Sequence, residues 1–197
     1  MRMLLSSPPF TQIIKGSRFL AELIPAATST EAREIISLQK EQYADATHVV
    51  HAFAVGPTGG TLGCSDDGEP AGTAGRPVLE VLQGSGITNA VLTVTRWFGG
   101  TKLGTGGLVR AYSTSAQGVL ATANSREIIP MAKLLFTVPY PLLENVKYSL
   151  GQLNFNILTE EYSGEGDTIT GEIPEAEAPA IEKRLADISR GKITVER

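Results

Sequence analysis

Five glycines stand in the nine positions 99–107, within the stretch WFGGTKLGTGGL. A backbone without Cβ atoms reaches φ values and close approaches denied to other residues, so this stretch is a loop, and its neighbours define what it joins. Upstream, residues 90–98 are β-branched and apolar and read as a strand. Downstream, Leu108, Val109, Tyr112, Ala116, Val119, Leu120 and Ala123 recur at helical spacing from near Gly106. A strand, a glycine-rich turn and a helix in succession place unpaired amides at a helix N-terminus, which attracts phosphate or carboxylate. The loop is not a Walker loop, because no Gly-Lys-Ser/Thr follows. It is not a full dinucleotide fingerprint either, because Val109 stands where the third glycine belongs.

Charge singles out the same region. The chain has 17 Lys+Arg against 21 Asp+Glu, a net charge of −4. Residues 81–126 contain no acidic side chain, yet hold Arg96, Lys102, Arg110 and Arg126. A basic, glycine-rich segment in an acidic chain suggests an anion or nucleic-acid face. The alternative is four scattered surface charges. The acidic overall balance argues against tight nonspecific duplex binding.

Around this unit the pattern predicts two domains, residues 1–133 and 134–197. In the first, strands are expected at 10–14, 17–24, 47–55, 61–65 and 90–98. A helix follows Thr28, which sits at capping-box spacing from Glu31, and another runs from about Pro77 to Gly84. The second domain reads as strand 134–139, helix 142–153, strands 155–162 and 167–173, helix 178–190 and strand 192–196. Pro179 suits that last helix's start and Gly191 its stop. This β-α-β-β-α-β order is the ferredoxin-like pattern, and the fold class is α+β.

Several chemistries can be weighed on residue types. Asp66, Asp67 and Glu69 lie in the loop SDDGEP and are candidate hard-oxygen ligands for Mg²⁺ or Ca²⁺, although the spacing matches no EF-hand; a solvated turn is the alternative. Trp97 shares a strand face with Thr93 and Thr95, opposite Leu92, Val94, Arg96 and Phe98. It is either a stacking surface beside the basic loop or a covered core residue. His48 and His51 point to opposite sides of their strand, which excludes a shared metal. His51 is expected to be buried and hydrogen-bonded. Cys64 is the one cysteine, so no intrachain disulfide or thiolate zinc site forms. It is expected in the core, and its isolation fits a reducing compartment. No apolar run approaches ~18 residues, and MRMLLSSPPF has too short an apolar core for a secretory signal. The expectation is a cytoplasmic protein with no membrane contact.

Three segments, THVVHAFAVG, SDDGEPAGTAGRPVLEVLQG and VTRWFGGTKLGTGGLVRAYS, resemble in order and spacing the signature segments of the IMPACT/YigZ family, over residues 15–121. The resemblance implies that the N-terminal domain has the β/α fold of ribosomal protein S5 domain 2 and of domain IV of elongation factor G. The C-terminal domain would then resemble domain V of that factor. It also implies nucleic-acid binding for bacterial members and translation regulation in eukaryotic relatives, which use a further domain to bind a protein partner. It brings no established catalytic mechanism and no cofactor. The motif positions that transfer are Asp66, Asp67, Gly68, Glu69, Pro70, Gly72, Thr73, Ala74 and Gly75, with Arg76 following. In the second loop they are Arg96, Gly99, Gly100, Lys102, Leu103, Gly104, Gly106, Gly107, Leu108 and Arg110, with Trp97 completing the anion- or RNA-binding candidates. The leading expectation is a noncatalytic RNA- or ribosome-associated regulator of translation. The alternatives are a metal-dependent hydrolase using the DDGE loop and a protein-interaction module using the acidic C-terminal domain.

Overall fold

The computed structural model describes all 197 residues, in two units that divide between Ile128 and Ile129. In the first unit the strands and helices run β1 (Arg2–Ser6), β2 (Phe10–Ile14), β3 (Ser17–Pro25), α1 (Ser29–Gln42), β4 (His48–Val55) and β5 (Thr61–Ser65). They continue with α2 (Gly75–Gly84), β6 (Ile87–Thr88), β7 (Ala90–Trp97), α3 (Thr105–Ala121) and β8 (Asn124–Glu127). Thr28 caps α1 as its spacing predicts, accepting from the Glu31 amide at 3.2 Å, while Glu31 accepts from the Ala27 amide at 2.7 Å. The main sheet has the order β2-β3-β7-β4-β5 and is antiparallel throughout.

Both faces of this sheet are covered, which is why β7 reads as a nearly continuous apolar run. On one face Phe19, Val50, Leu92 and Val94 pack against Val78 and Leu82 of α2 and Leu108, Tyr112 and Val119 of α3. On the other, Phe53, Val55 and Val91 pack against Ala32 and Ile36 of α1. A small second sheet places β1 between β6, parallel to it, and β8, antiparallel. The sequence reading has none of these three strands.

In the second unit β9 (Met131–Val138) leads through a short turn into α4 (Leu143–Gln152). Strands β10 (Asn156–Tyr162) and β11 (Asp167–Pro174) and helix α5 (Ala178–Ser189) follow. The sheet order is β10-β11-β9, antiparallel. Alternate residues Leu134, Phe136 and Val138 of β9 face Val146, Leu150, Ile181 and Leu185 of the helices. The strand expected at 192–196 shrinks to one bridge, Leu135 to Glu196. The cause lies at the end of α5: the Lys192 amide turns back to the Ser189 carbonyl and the Ile193 amide to its hydroxyl. Those donors are lost to the sheet. With β9 starting at Met131, a division at 133/134 would cut a strand. Both units are mixed α and β, giving a two-domain α+β architecture.

Candidate functional site

The antiparallel register brings four chain segments to one end of the main sheet. His48, at the start of β4, lies directly opposite Arg96 near the end of β7, and Arg96 lies opposite Phe19 of β3. The SDDGEP loop leaves β5 at this end, and the glycine loop leaves β7 here. Between the two loops is a cleft of about 410 Å³ lined by Thr47, His48, Glu69, Pro70, Arg96, Phe98, Lys102, Leu103, Gly104, Thr105 and Leu108.

The glycine loop is open to solvent from Gly99 to Gly106, except for the half-buried Leu103. Gly104 has φ +75° and caps α3, a conformation that disfavours any side chain. Gly99 is required for a different reason: a Cβ there would overlap the Gly16 carbonyl group. The first helical hydrogen bond runs from the Leu108 amide to the Gly104 carbonyl at 2.9 Å, and no side chain caps the helix. The amides of Thr105, Gly106 and Gly107 are therefore free of protein acceptors. Lys102 is exposed and forms no ion pair. Gly100, with φ +87°, completes the turn.

Arg96 is not a free cation. It is 5% exposed, and its Nη1 donates to Glu69 Oε1 at 2.6 Å. Its Nη2 donates to Ser17 Oγ at 3.3 Å, and its Nε is buried without a partner. The guanidinium lies 5.5 Å from the ring centroids of both Phe19 and Phe98. Arg96 is therefore part of the cleft floor, neutralised by the other signature loop. The Tyr112 hydroxyl also donates to Glu69 Oε1, at 2.7 Å. Burial, then the Glu69 hydrogen bond, pushes the Tyr112 phenol well above its ordinary range. Arg110 is exposed and lines a separate groove of about 420 Å³ with Gln12, Ile14, Lys15, Leu103, Gly107, Ala111 and Thr114. Leu103 borders both cavities.

Trp97 faces away from the cleft, on the α1 side of the sheet. Its indole donates to Asp45 at 2.8 Å, Arg18 sits 3.7 Å over its ring, and Tyr43 meets it edge-on. Strand parity identified the two faces correctly. The cleft is on the face with Arg96, so the aromatic beside the glycine loop is Phe98, 47% exposed, and not Trp97.

The three loop carboxylates do not form a ligand set, and no group of three ligating side chains converges anywhere. Asp66 accepts from the amides of Gly72, Ala74 and Gly75 at 2.8, 3.0 and 2.8 Å, holding the loop closed over the start of α2. Burial raises its pKa, but these donors outweigh burial and hold it below the ordinary range. Asp67, at φ +47°, pairs with Lys40 and accepts from the Val49 amide at 2.7 Å. Its pKa is also lowered, burial being outweighed by Lys40 and Val49. Glu69 belongs to Arg96 and Tyr112. Gly68 turns at φ +87° beside His48. The Thr73 hydroxyl donates to the Pro70 carbonyl at 2.6 Å, a local turn bond. Arg76 lies outside the cleft and pairs with Glu80 along α2 at 2.8 Å.

The remaining residues divide. The cleft contains His48, which the sequence reading had only excluded from a metal pair. His51 is half-buried with Nδ1 unpartnered; burial first, then Lys40, lowers its pKa, outweighing a backbone hydrogen bond with Val49 that raises it. Cys64 is exposed on edge strand β5, not in the core as expected, although it lies opposite buried Ala52. No helix is long and apolar enough to cross a membrane.

Comparison with known proteins follows the same division of the chain. The model of the Impact N-terminal domain matches residues 15–120, and a domain of unknown function (DUF1949) matches residues 136–192. An IMPACT family member encoded in a pol 5′ region of Thermus thermophilus is 37% identical over 93% of this chain and 99% of its own length. The IMPACT family member YigZ of Escherichia coli (strain K12) is 33% identical over 96% of this chain and 95% of its own. Among solved structures, one described as a hypothetical protein superimposes with a TM-score of 0.68 at 31% identity, covering 98% of this chain and 95% of that one. With both domain models matched in order and these relatives aligned along most of its length, the chain belongs to the IMPACT family.

Proposed function

We propose that this protein is a noncatalytic, nucleic-acid- or ribosome-associated regulator of translation that takes an RNA phosphate in the cleft between its two signature loops. One observation carries the reading: exposed Lys102, the free amides that open α3 and the open ring of Phe98 line the same cavity. Free amides at a helix N-terminus favour a phosphate oxygen, and a lysine adds a point charge. An exposed aromatic offers a face on which a base stacks. The second groove extends the track, because a strand crossing Leu103 passes from Lys102 to Lys15 and Arg110. Family membership supports the same reading through the ribosomal fold relatives that the sequence resemblance implies. The hydrolase alternative has lost its support, since Asp66, Asp67 and Glu69 are each engaged by different protein groups.

The test is fluorescence anisotropy with labelled single-stranded RNA of mixed sequence, with co-sedimentation on ribosomes, across a salt series. Lys102→Ala with Arg110→Ala should weaken binding and reduce the slope of log affinity against log salt by about 1.4, from ~0.7 per lost phosphate contact. Unchanged affinity and slope would remove the surface assignment.

A further inference from the structure

We infer that the cleft selects a guanine base, holding its Watson–Crick donor edge between Glu69 and His48 with the ring against Phe98. This rests on the RNA reading above and names the base that reading leaves open.

Glu69 is 8% exposed, yet only one of its oxygens is used. Oε1 receives Arg96 and Tyr112, whereas Oε2 accepts no hydrogen bond from the protein. The side chain opposite it is His48, with Nε2 3.8 Å from Oε2. His48 Nδ1 lies 2.7 Å from the main-chain oxygen of Asp67. A carbonyl oxygen only accepts, so Nδ1 carries a ring proton, and in that tautomer Nε2 presents a lone pair. Two acceptors thus stand side by side without a donor, at a cavity whose other walls include Phe98, Leu103, Leu108 and Pro70. Oε2 is not sealed off from the cleft, and a ligand N–H that reaches it forms a charge-assisted hydrogen bond.

The complement of this site is flat, apolar on its faces, and carries two neighbouring N–H groups on one edge. Guanine fits, with N1–H beside the N2 amino group. Adenine and cytosine place a ring-nitrogen acceptor next to their amino group, which would meet one of the two lone pairs. Uracil has one N–H between two carbonyls. Bases in single-stranded RNA expose these edges for recognition. With the base so placed, the strand's phosphate falls to Lys102 and the start of α3.

The experiment uses the full chain and labelled uridine nonamers whose central residue is G, inosine, A, C or U. The G nonamer should bind at least tenfold tighter than the A, C and U nonamers, with inosine between because it lacks the N2 amino group. Glu69→Gln should abolish the preference for the G nonamer over the A, C and U nonamers, with folding checked by Trp97 fluorescence. Should Glu69→Gln fail to fold, His48→Ala removes the second acceptor alone and should shrink the preference. Equal binding of all nonamers overturns the guanine assignment and leaves the RNA reading standing; no binding by any nonamer ends both. Displacement of the G nonamer by 5′-GMP at equal concentration would assign the site to a free nucleotide and overturn the strand context. Stronger displacement by an arginine-containing peptide would assign the paired acceptors to a partner's guanidinium, against this proposal.

Discussion

Replacing Arg96 by Met tests whether charge holds the cleft floor together. The two side chains are 6% and 3% exposed, so solvent screening does not reduce their interaction. Met keeps an unbranched apolar stem near Phe19 and Phe98 and deletes the cation. Glu69 Oε1 then keeps the Tyr112 hydroxyl as its one donor, and the carboxylate loses its counter-charge. Removing one partner of such a buried pair costs about 3–5 kcal/mol. With a urea m-value of about 1.5 kcal/mol/M, the midpoint falls by about 2–3 M. Trp97 is the chain's one tryptophan and lies in β7, so its fluorescence follows the unit that contains the pair. The double replacement Arg96→Met with Glu69→Leu removes both charges and should recover part of the loss. About 1–3 kcal/mol stays lost because the buried Tyr112 hydroxyl is then unpartnered. A single-variant shift under about 0.5 M, or a double variant no more stable than the single, would refute the argument.

Three further substitutions address the loops themselves. Asp66 is held below the ordinary carboxylate range, so its stabilising contribution is complete above the unfolded value of about 3.9 and is lost as pH falls through the lower folded value. Asp66→Asn should therefore be less stable than the parent at pH 7, with the gap closing below about pH 4 as the parent carboxylate protonates; urea midpoints across pH measure this, and a gap constant down to about pH 2 contradicts it. Gly99→Ala should cost about 1–3 kcal/mol, because its Cβ would overlap the Gly16 carbonyl. Gly106→Ala, which meets open space inside α3, should be neutral or gain up to about 1 kcal/mol; equal effects at the two positions in a urea titration would count against the packing argument.

What could be read from the sequence was local. The caps at Thr28 and Gly191, the proline starts and the alternation along β7 are set by neighbouring residues, and these elements fall within a residue or two of their expected bounds. The small sheet was not legible because β1 is made by partners far along the chain: Met3 pairs with Thr88 and Arg126. Pairing over two residues with β6 and four with β8 is too short to carry a periodicity of its own. The same limit hid the site's chemistry. Parity separated Arg96 and Phe98 from Trp97, but both sheet faces are covered by helices, so alternation could not say which face opens on a cleft. Nor could composition show that Glu69, 27 residues away, neutralises Arg96.

That pairing changes the electrostatics of the acid-free stretch. Counted along the chain, residues 81–126 offer four cations, which would give a single-strand salt slope of about 2.8 if each met a phosphate. Arg96 is consumed inside the protein, and Arg126 lies in β8 opposite Met3, in the small sheet. Lys102 and Arg110 are left, and folding adds Lys15 beside Arg110 from the β2–β3 turn. Three contacts give a slope of about 2.1. Such a surface binds weakly through charge alone, so affinity has to come from the cleft, where the Phe98 ring and the free Glu69 oxygen act on the base rather than the backbone. A measured slope well above this, with no dependence on base identity, would mean that the strand runs over some other face of the molecule.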